Sequence, residues 1–222
     1  MTRYIQGDIH SVIKTLEDNS IDFIYTNPPF GITKKEWDKP LDWDNLWSDI
    51  WRVLKPNGVV AIHASMPFSY DLIKSQRPKY HYIWKKNNST SFLNANKQPL
   101  RTTEEIYIFY NSLGTYNIQM IGNKIYKKRK VQPKIKSSYY GCEKGTNTDE
   151  IQIGNYPTNF LDYPIKIRGG KTVPDEMIEF FIKTYSNEND TILDMTCHNK
   201  IVGNITTKLK RNYIGVDINE IN

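Results

Sequence analysis

The stretch Thr26-Asn27-Pro28-Pro29-Phe30 sets an amide side chain, two consecutive prolines and an aromatic ring directly after the β-like run Ile21-Asp22-Phe23-Ile24-Tyr25. Residues of these types in this order can hold a nucleobase amine. The exocyclic amine of adenine or cytosine is a poor nucleophile, because its lone pair is delocalised into the ring. The side-chain oxygen of Asn27 and the main-chain carbonyl of Pro28 could each accept one amine proton, which favours a pyramidal nitrogen able to attack a methyl group. Each proline fixes φ and offers no competing N–H, so the carbonyl stays aimed outward. Phe30 supplies a face on which an extruded base can stack. Asn27, Pro28, Pro29 and Phe30 are therefore the candidate catalytic residues. Out of context the same tetrad reads as an ordinary strand-ending turn, since Asn-Pro is turn-prone.

The elements that must position this tetrad follow from hydrophobic spacing. Ile9, Val12, Ile13 and Leu16 recur at helical intervals before the Ile21 to Tyr25 strand. Trp43, Leu46, Trp47, Ile50, Trp51 and Leu54 make the strongest helical stripe, with Asp42 or Asp44 available as N-cap, and the tryptophans read as core. Lys55-Pro56-Asn57-Gly58 should end that helix in a tight turn before the buried strand Val59-Val60-Ala61-Ile62. Ile106 to Tyr110 reads as another strand. Past Pro174, the stripe Met177, Ile178, Phe181, Ile182, Tyr185 leads to a strand from Thr191 to Leu193; Ile201, Val202, Ile205 and Leu209 then precede the last strand, Tyr213 to Val216. This alternation predicts an α/β fold with a mostly parallel sheet flanked by helices. Asp8, Asn27, Asp194 and Asp217 would gather at the carboxyl ends of its strands, where such folds bind ligands.

The motifs around the tetrad resemble the β-class of DNA amino-methyltransferases. Gly7-Asp8 with Leu16 and Asp18-Asn19-Ser20-Ile21-Asp22 is similar to the family's opening segment, and Asn27 to Phe30, continuing into Gly31-Ile32, to its (D/N)PP(Y/F) motif. Trp51-Arg52-Val53-Leu54-Lys55-Pro56-Asn57-Gly58 is similar to its helix and turn; Trp84-Lys85 and Thr103-Glu104-Glu105-Ile106 match weaker landmarks. Tyr185 to Asp194 and Arg211 to Asp217 resemble the cofactor-binding half. The resemblance covers nearly the whole chain, and the catalytic motif preceding the cofactor motif is the β-class order. Protein-glutamine methyltransferases carry a similar tetrad in the opposite order. Cytosine C5 methylation would need a Pro-Cys pair, whereas Cys142 follows Gly141 and Cys197 follows Thr196.

What the resemblance implies is a Rossmann-like methyltransferase fold using S-adenosylmethionine to methylate N6 of a flipped adenine in DNA. N4-cytosine is the alternative target. It implies one methyltransferase domain over 1–222, a target-recognition insertion over 111–165 and a cofactor-binding half over 166–222. It assigns cofactor contacts to Asp8, Lys171, Asp194, Met195, Thr196 and Asp217. Family members carry two glycines in the loop after the strand ending at Asp194. Here the loop reads Met195-Thr196-Cys197-His198-Asn199-Lys200, with His198 and Lys200 in the glycine positions. Either the loop is rebuilt around the cofactor, or the chain is a nucleic-acid-binding pseudoenzyme or a subunit of a larger methyltransferase.

The formal net charge is +6 and the sequence pI about 9.1, which suits a polyanionic partner. Lys127, Lys128, Arg129, Lys130, Lys134 and Lys136, interleaved with tyrosines, are candidate DNA contacts, and Lys85 and Lys86 are placed in a second contact loop. No apolar run spans a bilayer, and two cysteines argue against a disulfide framework. A cytoplasmic protein of prokaryotic or viral (phage) origin is expected. His10, His63 and His81 read as structural, and no metal-ligand spacing occurs. Members of the resembled family usually continue past the acidic strand end through a helix covering the sheet, whereas only Ile218 to Asn222 follow Asp217 here, so the resemblance implies a homodimer partner or another subunit covering that edge.

Overall fold

The computed structural model describes residues 1–90, 92–127, 151–167 and 171–220. In chain order the strands are β1 (Thr2–Gln6), β2 (Ile21–Thr26), β3 (Leu54–Ala64), β4 (Tyr80–Thr90), β5 (Arg101–Phe109), β6 (Ile121–Lys127), β7 (Ile151–Asn155), β8 (Phe160–Asp162), β9 (Lys166–Ile167), β10 (Lys171–Thr172), β11 (Thr191–Asp194) and β12 (Asn212–Asp217). The helices are α1 (Ile9–Val12), α2 (Trp43–Val53), α3 (Phe68–Ser75), α4 (Asp175–Tyr185) and α5 (Ile201–Lys208).

Eight strands form one sheet in the order β1-β12-β11-β2-β3-β5-β4-β8. The pairings from β1 to β3 are all parallel, β5 runs antiparallel to both β3 and β4, and β8 is parallel to β4. All six residues of β2 are buried, as a parallel strand covered on both faces requires. Alternate residues of β2 enter opposite layers. Ile24 joins Leu46, Ile50, Phe68 and Leu193 beneath α1, α2 and α3, whereas Phe23 and Tyr25 join Ile178, Phe181 and Ile192 beneath α4 and α5. The tryptophan stripe of α2 is core as expected, with Trp43 and Trp47 buried, and Asp42 is the N-cap.

Several local expectations are corrected. The helical run from Ile9 shortens to α1 followed by a 3-10 turn, Ile13–Thr15. Arg52 of α2 donates to the carbonyls of Ile13 (2.8 Å) and Leu16 (2.8 Å), so that turn ends on a guanidinium rather than on another helical turn. Lys55 to Gly58 are not a free turn: β3 already begins at Leu54, and its register against β2 breaks before Val59. Lys55 instead reaches back to Asp22, whose second oxygen also accepts the Thr191 amide, so one carboxylate ties β3 and β11 to the start of β2. β12 is not the sheet edge, because β1 pairs along it from Thr2 to Gln6.

The chain divides into two compact units, one of residues 1–117 and 158–222 and one of Ile118–Pro157. Residues 111–117 and 158–165 group with the first unit, the latter through β8 in the main sheet; among the described residues of the second unit β6 and β7 pair antiparallel. No helix among the described residues is long and apolar enough to cross a membrane.

Candidate active site

Four neighbouring parallel strands, β1, β12, β11 and β2, deliver Asp8, Asp217, Asp194 and Asn27 to the same end of the sheet in that lateral order. This is the crevice that the alternation of elements predicts. Asn27 is exposed just past β2, and its side chain makes no hydrogen bond among the described residues; Pro28 is buried. Phe30 is half-buried and spends one ring face on Phe68, with centroids 5.4 Å apart and planes inclined by 14°. The hydroxyls of Thr26 and Thr196 meet at 2.8 Å, joining the base of the tetrad to the loop after β11.

In that loop the main chain does most of the bonding. Cys197 donates its amide to the Val216 carbonyl (2.9 Å) and His198 donates its amide to Asp217 Oδ2 (3.0 Å). His198 has φ of +36°, so it takes the left-handed conformation that a glycine adopts without cost. The His198 and Lys200 side chains are exposed. Close packing on β12 needs a glycine there instead: a Cβ on Gly215 would stand 2.9 Å from Cys197 Sγ.

Asp194 is buried beneath this loop, accepting from the Thr196 amide (3.2 Å) and the Tyr213 hydroxyl (3.3 Å). Burial pushes its pKa up to about 7, opposed by those hydrogen bonds. Asp217 accepts the His198 amide on one oxygen and the Asn219 amide (2.8 Å) on the other. Asp8 is the N-cap of α1, and its Oδ1 takes both the His10 amide (2.7 Å) and the His10 ring Nδ1 (3.0 Å); the amide bond holds its pKa below the usual carboxylate value. Met195, expected at the cofactor, is 1% exposed and its side chain packs in the core with Leu193 and Val216 at the turn that follows β11. Thr196 alone of that pair remains toward the site side.

Lys85 and Lys86 are not in a loop. Both lie within β4, and Lys86 Nζ is 2.5 Å from Glu104 Oε2, with its side chain 14% exposed. It ends a buried relay of side chains from four strands. The Tyr25 hydroxyl lies 2.8 Å from His63 Nε2, and His63 Nδ1 lies 2.7 Å from Glu104 Oε1. An imidazole protonated on Nδ1 satisfies both contacts, donating to Glu104 and accepting from Tyr25. Burial works to raise the Glu104 pKa, but the hydrogen bond from His63 and the Lys86 charge hold it below the ordinary value. The relay crosses β2, β3, β5 and β4, four adjacent strands, and starts two residues before Asn27. Its members are far apart in sequence, so no local spacing could announce it.

Lys128, Arg129, Lys130, Lys134 and Lys136 lie outside the described residues. Of Lys127 and Lys171 only the strand positions, in β6 and β10, are described. Among the described residues no cluster of His, Cys, Asp and Glu could hold a metal ion.

The chain belongs to the N6/N4 DNA methylase family, whose profile matches residues 21–221. It is 24% identical over 237 aligned positions to the type II methyltransferase M.HpaI of Haemophilus parainfluenzae, an alignment covering 98% of this chain and 70% of that protein. Two solved structures share the fold. The PvuII DNA methyltransferase (cytosine-N4-specific) superposes with a TM-score of 0.65 at 15% identity, covering 98% of this chain and 82% of that one. The M1.HpyAVI complex with S-adenosylmethionine superposes with a TM-score of 0.58 at 19% identity, covering 99% and 94%.

Proposed function

We propose that this chain methylates the exocyclic N6 of an adenine flipped out of DNA, with S-adenosylmethionine as methyl donor. The observation that carries the reading is Asn27, exposed at the end of β2 with its side chain unbonded among the described residues, its strand end tied to the loop after β11 through Thr26 and Thr196. Asn at the head of the tetrad resembles the N6-adenine enzymes more than the Ser of N4-cytosine enzymes.

The residues present fit the cofactor. Asp217 Oδ2 retains acceptor capacity beyond the His198 amide for a ribose hydroxyl, and Asp8 is exposed, with Oδ1 taken by His10, leaving Oδ2 to accept from an adenine amino group. Lys171 is the candidate partner for the methionine carboxylate. When bound, S-adenosylmethionine supplies an electrophilic methyl group on a sulfonium. Asn27 Oδ1 and the Pro28 carbonyl accept the two protons of the target amine and localise its lone pair. Phe30, backed by Phe68, presents its other face to the extruded base. Orientation supplies most of the acceleration, and the surplus proton leaves the amine for solvent on the exposed side of Asn27.

The test is transfer of tritiated methyl from S-adenosylmethionine to mixed-sequence DNA, followed by nucleoside analysis. Label in N6-methyladenine is expected, and Asn27→Ala lowers transfer by at least about 100-fold without weakening DNA binding. Label in N4-methylcytosine would reassign the base and keep the amine chemistry. DNA binding without transfer would reduce the chain to a cofactor-deficient binding protein.

A further inference from the structure

The ten residues from Gly31 to Pro40 leave the tetrad and return to it. Gly31 has φ of +67°, and a Cβ placed on it would lie 2.6 Å from Pro40 Cγ, so the two ends of the segment touch as in a compact Ω-type loop. Its interior is one carboxylate. Asp38, 6% exposed, accepts the amides of Gly31 (2.8 Å) and Thr33 (2.6 Å). Burial works to raise its pKa, yet these bonds, with others from the Thr33 side chain and the Phe30 amide, bring it below the usual carboxylate value. An ionised Asp38 therefore clamps the loop onto the last residue of the tetrad.

Every other residue of the loop is exposed. Trp37 stands at 61% exposure, flanked by Lys34, Lys35 and Lys39, with Glu36 as the loop's one exposed acid. The remaining tryptophans, Trp43, Trp47, Trp51 and Trp84, are buried or packed against the core. A single exposed indole is ordinary on its own, but this one stands among three lysines on a loop anchored beside the tetrad.

We propose that this loop is a DNA-contacting element, in which Trp37 stacks on a base beside the nucleotide held at Asn27, or in the gap that nucleotide leaves, while Lys34, Lys35 and Lys39 lie on flanking phosphates. The inference rests on the proposed action on DNA. Aromatic faces stack on any base, apolar wedges enter opened base steps, and lysines around them neutralise the backbone. Three lysines within six residues favour a polyanion over a protein partner. Because Asp38 bonds to the Gly31 and Thr33 amides directly after the tetrad, seating the loop on a duplex also bears on the position of Phe30.

The test compares the full chain with its Trp37→Ala and Trp37→Phe variants, titrated with a labelled mixed-sequence duplex and assayed for methyl transfer. Losing one base stack weakens DNA binding by about 5- to 150-fold in Trp37→Ala. It raises KM for DNA more than it lowers kcat, whereas Trp37→Phe restores most of the affinity. The affinity for S-adenosylmethionine and the melting temperature stay unchanged, since the side chain is exposed. Replacing Lys34, Lys35 and Lys39 by Ala flattens the slope of log affinity against log salt by roughly 2.7. A Trp37→Ala variant with wild-type DNA affinity and KM would overturn the proposal and leave this surface to a protein partner. A wild-type chain that neither binds nor methylates DNA would overturn both the proposal and the functional reading; wild-type turnover with an indifferent Trp37→Ala would overturn the proposal alone.

Discussion

The tetrad after β2 and the loop after β11 stand side by side, joined by the Thr26 and Thr196 hydroxyls, but they hold their shapes by different means. After β2 the proposed chemistry resides in one amide side chain and the direction of one carbonyl. The strand beneath is braced by the buried Tyr25, His63, Glu104 and Lys86 relay. After β11 the bonding resides in the main-chain path, with amides of Cys197 and His198 fixed to β12 and a non-glycine residue at positive φ. A motif that works through a side chain tolerates only residue types that keep its hydrogen-bonding chemistry. One that works through a path tolerates other residues, at a cost of roughly 1–2 kcal/mol for a left-handed residue bearing a Cβ.

The largest expected effect breaks the bracing on the tetrad side. Glu104→Ala leaves the Lys86 ammonium buried without its partner and should destabilise the protein by about 3–5 kcal/mol in urea unfolding. Loss below about 1 kcal/mol would mean the relay is solvated and does not brace β2.

On the loop side, the raised pKa of Asp194 predicts a pH signature. Its folded value of about 7 exceeds the unfolded value, so the folded state binds the extra proton between roughly pH 4 and 7, and stability falls as pH rises through that window. Asp194→Asn should remove this slope, worth up to about 4 kcal/mol. Parallel stability profiles for the two proteins between those pH values would show Asp194 to be an ordinary carboxylate.

Smaller changes sharpen the contrast between side chain and path. His198→Gly should raise stability by about 1 kcal/mol and leave S-adenosylmethionine affinity intact, because the backbone keeps its conformation and loses its strain. A fall in that affinity would assign the cofactor a contact with the imidazole itself. Thr26→Val and Thr196→Val, alone and together, should show a coupling of roughly 0.5–1.5 kcal/mol. Additive effects would mean that the two regions are held independently.

What was legible in the sequence was what depends on local spacing. The β2 strand, the α2 stripe with its Asp42 cap, α4, α5 and the last two strands lie where the hydrophobic periods put them. The polar run Lys85 to Asn88 looks like a loop past a strand end, yet β4 continues through it: pairing to β5 covers Tyr80 to Lys85 and resumes at Thr90, and β8 pairs with Ile83 to Lys85. The motif position places Met195 at the cofactor, whereas its side chain lies in the core, which motif position alone does not reveal.

The sequence by itself determined the class of fold, the tetrad and the order of motifs, since these are written in residue type and period. Tertiary structure decided the rest. It decided which acids share a crevice, because strand order places β1, β12, β11 and β2 side by side although Asp8 and Asp217 lie at opposite ends of the chain. It also decided that a histidine can make a glycine's turn, that four separated polar residues form one buried relay, and that Trp37 stands in water beside the tetrad. Burial and pairing across strands are properties of neighbours in space, and no window along the chain contains them.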